Sequence, residues 1–164
     1  MAAHEAAAAV ITIRPAAEAD VPVLREISVA AYGQYVPLIG RPPAPMTADY
    51  ATAVRSGQAW VAVAEAAGAD GGVQGFIVLI RHPGFLLLEN VAVRPAVQGR
   101  GLGARLLAFA EEQARALGLA EIRLYTNEAM AANLAYYPRR GYTETHRAEE
   151  DGFRRVFFRK HLGA

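Results

Sequence analysis

The sequence contains no cysteine. Disulfides, thiolate metal sites and a cysteine nucleophile are therefore excluded, although this absence does not fix the cellular compartment. Long apolar runs are missing too, and none approaches the roughly 20 residues that a membrane-spanning helix needs. The histidines lack the i, i+4 spacing of paired metal ligands; they are His4, His82, His146 and His161. We therefore expect neither a metal site nor a place in the membrane.

A large excess of charge of either sign is also lacking. The chain has 17 basic and 16 acidic side chains and a net charge of +1. No run of Lys or Arg is long enough to neutralise many phosphates, so nucleic acid is not an expected partner. Residues 1–10 show neither the basic region nor the apolar stretch of an export signal. These features predict a cytoplasmic protein.

The length of 164 residues suits one domain. We expect a flexible start over residues 1–9 and a single domain over residues 10–164. Short apolar runs predict strands at 10–14, 57–64, 73–80, 85–93, 122–126, 142–145 and 154–159. The run at 85–93 is so continuously apolar that we predict a central strand there.

Capping signals and helical spacing predict helices between these strands. One begins after Asp20, a short one is capped by Thr47 and runs to residue 55, and longer ones span 101–117 and 129–140. Three prolines within residues 40–46 predict a rigid loop, because each ring fixes its own φ. Residues 68–72 are predicted to form the turn of a hairpin.

A glycine-rich turn between the central strand and the next helix carries the first chemical signal. At a helix N-terminus the backbone N–H groups lack intrahelical partners, and glycines allow an oxyanion to approach them closely. An arginine in the turn adds a charge-assisted contact. The turn is therefore a candidate pyrophosphate site, made of Gln98, Gly99, Arg100, Gly101, Leu102 and Gly103.

The glycine spacing differs from that of two other phosphate-binding motifs. The turn reads G-x-G-x-G, whereas the dinucleotide-binding fingerprint is G-x-G-x-x-G and opens a βαβ unit. A P-loop needs Gly-Lys followed by Ser or Thr, which is absent. A tight connection with no ligand remains open, since glycines before a helix are often only structural.

The Gln-x-x-Gly-x-Gly turn resembles motif A of the GNAT N-acetyltransferases. Upstream, the segment Val91-Ala92-Val93-Arg94-Pro95 is similar to that family's fourth strand. Downstream, Asn133 and the segment from Tyr137 to Gly141-Tyr142 are similar to its Tyr-x-x-x-Gly-Phe/Tyr segment. The resemblance covers most of the chain. It implies a single α/β (α+β) domain in which helices flank a mixed, mostly antiparallel sheet with splayed central strands.

The resemblance also implies acetyl-CoA as the acetyl donor, with no metal. In similar enzymes the splayed fourth strand bonds the pantetheine amides, which here would involve Val91, Ala92 and Val93. The pyrophosphate would rest on the turn and on the amides up to Ala104. Asn133 is a further candidate for the cofactor site, although it fits equally well a role in satisfying the backbone groups of the splayed strands.

For catalysis, Tyr137 stands at the family's general-acid position and would protonate the departing sulfur. It also fits an ordinary core aromatic. Glu89 is our candidate base, directly or through water, because it lies in an apolar strand beside the splay; an edge carboxylate paired with an arginine is the alternative. Tyr125 and Glu128 offer other base positions. A backbone N–H near Val91 would bind the oxyanion.

The acceptor is expected to be a primary amine of a small molecule or of a protein or peptide. Tyr32 and Tyr35 fall where similar enzymes build the acceptor pocket, and they also fit simple packing. Met130 replaces the asparagine usual seven positions before the acidic tyrosine. Two other functions stay open, namely a non-catalytic acyl-CoA sensor and a nucleotide-binding module. A homodimer through an edge strand near the C-terminus also stays open.

Overall fold

A computed structural model describes residues 10–65 and 72–163 of the chain. Within them lie seven strands: β1 (Val10–Pro15), β2 (Ala59–Glu65), β3 (Gly72–His82), β4 (Phe85–Val93), β5 (Glu121–Asn127), β6 (Thr143–Glu150) and β7 (Phe153–His161). They form one sheet in the order β1-β2-β3-β4-β5-β7-β6. Every neighbouring pair is antiparallel except β4 and β5, which are parallel. The predicted mixed, mostly antiparallel sheet is confirmed.

Helices cover both faces of this sheet. They are α1 (Val21–Tyr32), α2 (Val36–Ile39), α3 (Ala44–Thr47), α4 (Tyr50–Arg55), α5 (Leu102–Ala116) and α6 (Ala131–Arg139). One core joins α1 and α4 to β2 and β3 around Leu24, Tyr50 and Phe76. The other joins α5 to β4 and β5 around Leu106 and Ile122. Burial of these apolar faces holds the layers together.

The predicted central strand at 85–93 coincides with β4. Leu86 and Leu88 are buried against the α5 layer, whereas Ala92 belongs to the core on the α1 side. The register with β3 skips one residue, because Leu79 pairs with Leu88 and Val78 with Asn90. Glu89 is therefore the extra residue of a β-bulge, a feature that re-aims side chains near functional sites.

Pairing between β4 and β5 is short. It joins only Leu86–Leu88 to Ile122–Leu124. Beyond Leu88 the two strands separate, as predicted for the splayed centre of the sheet. The gap opens beside Glu89, so the bulge and the splay occur at the same place in the fold.

The segment before β2 differs from its predicted structure. Residues 40–46 were expected to be a loop, yet α3 begins at Ala44, because Pro45 stands in the first helical turn, where a missing N–H costs nothing. The next helix is capped by Asp49, which accepts a hydrogen bond from the Thr52 amide at 3.0 Å, and not by Thr47.

The predicted helix start at Asp20 is correct, but its carboxylate does not cap α1. The carboxylate instead accepts hydrogen bonds from Arg14 at 2.8 Å and from the Ala17 amide at 2.7 Å. The bond from Arg14 lowers the pKa of the Asp20 carboxyl. This pair ties the end of β1 to the start of α1.

Two predictions lie outside the described residues, namely the flexible start at 1–9 and residues 68–71 of the hairpin turn. In the part of the chain that is described, no helix is long and apolar enough to cross a membrane. The sheet edges there are β1 and β6. Pairing of such an edge with a second copy stays a prediction.

Gly75 lets β3 lie close to β4, and its replacement tests this packing. A Cβ at Gly75 would lie 2.8 Å from the Ala92 carbonyl oxygen, which is fixed backbone. We expect Gly75→Ala to lower the free energy of unfolding by about 1–3 kcal/mol. Chemical denaturation measures this change.

Gly33→Ala is the matched control for that variant. Gly33 has a helical φ of −57°, and a Cβ there meets nothing within 4 Å. Its stability should stay equal or rise slightly, because alanine restricts the unfolded chain. Equal stability of Gly75→Ala and the wild type would contradict the close approach of the two strands.

Candidate active site

The gap between β4 and β5 opens into a cavity on the α1 side of the sheet, which we call the inner cavity. It has a volume of about 670 Å³, counting the space open to solvent. Its walls come from β4, β5, α6, the α3 segment and the start of β7. The residues that line it include Tyr32, Pro43, Pro45, Glu89, Val91, Tyr125, Met130, Asn133, Tyr137, Phe153 and Arg155.

A second depression, the outer groove, runs along the glycine turn. It is lined by the end of α1, the end of β4, the start of α5 and one side of α6. Four residues line both the outer groove and the inner cavity: Tyr32, Val91, Asn133 and Tyr137. The two spaces therefore meet where the strands separate.

The glycine turn has the backbone conformation that glycine favours. Gly99 and Gly101 have φ values of 82° and 85°, in the left-handed region that a Cβ disfavours. Helix α5 begins directly after Gly101, so its first amides face the outer groove. Gly99, Gly101, Leu102, Gly103 and Ala104 line the groove, as do Val91, Ala92, Val93 and Gln98. Arg100 is exposed and does not line it.

The carbonyl groups at the end of β4 find partners outside β5. The Tyr32 hydroxyl donates to the Val91 oxygen at 2.7 Å, and Gln98 Nε2 donates to the Val93 oxygen at 3.2 Å. These two carbonyl groups are therefore not paired with β5, but each accepts a hydrogen bond from a side chain. Each oxygen keeps a second lone pair, so it remains able to accept another hydrogen bond.

Glu89 lies in the inner cavity and is bonded to a phenol. The Tyr125 hydroxyl donates to Glu89 Oε1 at 3.0 Å. Burial, together with the charge of Glu89, raises the pKa of Tyr125 to about 12. The Arg155 guanidinium lies over the Tyr125 ring at 4.4 Å and donates to Glu150 at 2.9 Å. The arginine near Glu89 therefore contacts Tyr125 and a different carboxylate.

Tyr137 is buried at the junction of the two spaces. Its ring meets Tyr136 and Tyr142 edge-on, each at 5.7 Å between centroids. Burial raises the pKa of the Tyr137 phenol well above its usual value, so the phenol keeps its proton at neutral pH. The side chain is packed in the core and also lines both spaces, and its role as a general acid stays a prediction.

The other predicted residues divide between the two spaces. Asn133 Nδ2 donates to Thr126 Oγ1 at 3.1 Å, so its amide contacts a side chain of β5. Tyr35 lines the outer groove and not the inner cavity, whereas Tyr32 lines both. Glu128, the other alternative base, does not line the inner cavity and pairs with Arg147 at 3.4 Å.

A contact behind the Phe153 wall of the inner cavity was not predicted from the sequence. The Arg41 guanidinium lies 3.6 Å from the centre of the Phe153 ring and donates to the Asp151 carbonyl. This contact joins the proline-rich segment to the β6–β7 turn. The Asp151-Gly152 pair is a typical hairpin signal that indicates the turn, but nothing local indicates its contact with Arg41.

Comparison with known proteins identifies the family of this chain. A sequence model of the Acetyltransferase (GNAT) family matches residues 23–142, which is more than half of the chain. The chain therefore belongs to the GNAT family of acetyltransferases. Among the described residues, no group of three acidic, histidine or cysteine side chains is placed to hold a metal ion.

Individual relatives agree with this assignment. An aminoalkylphosphonate N-acetyltransferase of Salmonella typhimurium is 36% identical over 59 residues. That stretch is 36% of this chain and only 38% of that protein. The PaiA N-acetyltransferase of Thermoplasma acidophilum, crystallised with coenzyme A, has a TM-score of 0.72 at 19% identity, covering 93% of this chain and 99% of its own.

A third protein shares the same fold. The ribosomal-protein-S18-alanine N-acetyltransferase of Escherichia coli has a TM-score of 0.70 at 20% identity. The match covers 94% of this chain and 96% of that chain. At such low identity these two structures establish the fold alone.

The hydrogen bond between Tyr125 and Glu89 predicts a shift in a titration. The carboxylate disfavours the phenolate beside it, so Glu89→Gln should lower the pKa of Tyr125 from about 12, while burial keeps it above the usual value. Phenolate absorbance across alkaline pH, with Tyr125→Phe used to assign the signal, measures this change. Glu112→Gln, on the exposed face of α5, should leave the titration unchanged. An unchanged titration in Glu89→Gln would contradict the contact.

Proposed function

We propose that the chain transfers the acetyl group of acetyl-CoA directly to a primary amine of a small molecule or of a protein or peptide. The observation that carries this proposal is the meeting of the inner cavity and the outer groove at Tyr32, Val91, Asn133 and Tyr137. A donor in the groove and an amine in the cavity would face each other there. Such proximity favours transfer in a ternary complex, with no covalent enzyme intermediate.

The outer groove suits the donor, which supplies a thioester. The first amides of α5, with the positive end of the helix dipole, provide a place for the pyrophosphate. Arg139 and Arg140 line the same groove and add positive charge. The free lone pairs of the Val91 and Val93 oxygens suit the pantetheine amides. Membership of the family and the coenzyme A in the PaiA structure support this donor.

The inner cavity suits the amine. Glu89 is an acidic group on its wall, next to the point where the cavity meets the outer groove. Glu89 accepts the proton that the amine loses, directly or through water, while Tyr125 holds the carboxylate in place. The name of the Salmonella relative supports an amine as acceptor.

Tyr137 completes the proton balance. As the amine nitrogen forms its bond to the acetyl carbon, the bond from that carbon to sulfur breaks. The Tyr137 phenol gives its proton to the sulfur, so a thiol leaves, and exchange with solvent restores both side chains. A backbone N–H near Val91 stabilises the charge on the carbonyl oxygen.

Ligand-dependent stability tests the donor site. Acetyl-CoA, CoA, NAD and ATP are each added at about a hundred times the dissociation constant of a true ligand. Binding at that ratio adds about 2.7 kcal/mol, which raises the unfolding midpoint of a domain of this size by about 5–10 °C. We expect this rise with acetyl-CoA and CoA alone. A rise with NAD or ATP instead would favour a nucleotide-binding module.

Substitution of Tyr137 tests the acid. Tyr137→Phe keeps the ring but removes the proton, so kcat should fall by about 10²–10⁴-fold. CoA should still raise the unfolding midpoint as it does in the wild type. Thiol release in the presence of a panel of primary amines measures the rate.

Tyr142→Phe is the matched control for that variant. Tyr142 is also buried, and its ring meets Tyr137, yet it lines neither space, and its hydroxyl has no hydrogen-bond partner among the described residues. Its kcat should stay near that of the wild type. Equal rates for Tyr137→Phe and Tyr142→Phe would contradict the role of Tyr137 as the general acid. Binding of acetyl-CoA without turnover of any amine would identify a sensor.

A further inference from the structure

A third depression, the sheet groove, crosses the same face of the sheet as Glu89 and Tyr125. It spans β4, β5, β7 and β6, beginning at the end of β3. It shares Leu124 and Tyr125 with the inner cavity, so the two spaces adjoin at that strand. Its lining consists of His82, Phe85, Leu87, Arg123, Leu124, Tyr125, Thr145, His146, Phe157, Phe158 and Arg159.

The walls of the sheet groove are flat and aromatic. On one side His82 stacks on Phe85, with 4.8 Å between ring centroids and an interplanar angle of 2°. On the other side His146 stacks on Phe157 at 4.3 Å and 6°. Such surfaces favour a planar apolar group, because ring faces bury area with few rotatable bonds.

The charge of the sheet groove is positive. Among the described residues that line it, Arg123 and Arg159 are charged and none is acidic. Arg123 is held by Glu121 at 2.8 Å and by the Phe85 ring at 3.9 Å. Arg159 comes only within 3.9 Å of Glu121, longer than a hydrogen bond, and its side chain is 53% exposed. Arg159 is therefore the cation placed to meet an anion.

We propose that the sheet groove binds the distal part of the acceptor, and that the acceptor is an amine joined to a planar apolar body that ends in a carboxylate. The amine would reach Glu89 beside Tyr125, and the carboxylate would meet Arg159. In the register of β5 and β7, Arg159 lies opposite Arg123. Arg123 is two residues before Tyr125 on β5, which is a separation of about 7 Å along the strand. The inference rests on the proposed function, because it names the substrate class of the same site.

Charge favours this occupant over a second copy of the chain. In a two-fold interface the same surface lies on both sides, so the arginines of one groove would face those of the other. Glu121 contacts both arginines, so its single negative charge offsets only one of their two positive charges. An anionic small molecule has the complementary charge.

Binding of two probe amines tests the inference. The probes are 4-(2-aminoethyl)benzoate and 2-phenylethylamine, which differ only in the carboxylate. Calorimetry on the CoA-saturated protein should show tighter binding of the benzoate by about tenfold, equal to about 1.4 kcal/mol. Arg159→Gln should reduce this preference to less than about twofold while leaving the affinity for 2-phenylethylamine unchanged. Higher salt should weaken the preference.

Arg154→Gln is the matched control. Arg154 lies on the same strand, is 80% exposed and points to the opposite face, because side chains alternate along a strand. It should keep the tenfold preference. Equal affinity of the wild type for both probes, no binding of either, or an equal preference in Arg159→Gln would overturn the inference. A change of oligomeric state in Arg159→Gln would also overturn it, in favour of a second copy.

Calorimetry measures binding and thiol release measures turnover, so each of the two proposals can be contradicted without the other. Acetyl transfer with no carboxylate preference would leave the proposed function intact and overturn the sheet groove. A preference that depends on Arg159, without any thiol release, would support the sheet groove as a binding site and contradict the transfer.

Discussion

The separation of β4 from β5 is the constraint on which the rest of the site depends. A parallel pair within a sheet normally continues along both strands, because every buried N–H and C=O needs a partner. Here the pairing stops after Leu88, where the bulge at Glu89 changes the register of β4. The polar groups freed by the separation must be satisfied by side chains or by a ligand. This requirement turns a break in the sheet into a binding site.

The structure meets that requirement from distant parts of the chain. Tyr32, at the end of α1, donates to the Val91 carbonyl, and Gln98 donates to the Val93 carbonyl. These bonds satisfy two carbonyl groups of β4 that are not paired with β5, and each oxygen keeps a second lone pair. The first helix therefore has two roles, since it packs on the sheet and also supports the edge of the gap.

The region around Glu89 depends on contacts that converge from both ends of the sequence. Glu150 holds Arg155, Arg155 lies over Tyr125, and Tyr125 donates to Glu89. Phe153 lines the cavity, and the Arg41 guanidinium lies over its ring. Residues of the α2–α3 connection and of the β6–β7 hairpin thus shape the inner cavity, whereas β4 and the start of α5 line the outer groove.

The sequence by itself determined the glycine turn before α5 and the central strand. Gly99, Gly101 and the start of α5 are contiguous, and local backbone chemistry dictates their arrangement, so the turn was predictable without a fold. The apolar run of β4 indicated its central place for the same reason. The α3 helix was missed because its prolines fit either a loop or a first helical turn. The bond from Asn133 to Thr126, the contact of Arg41 with Phe153 and the sheet groove were decided only by the tertiary structure. Each joins residues on separate elements, whose distance depends on how the layers pack.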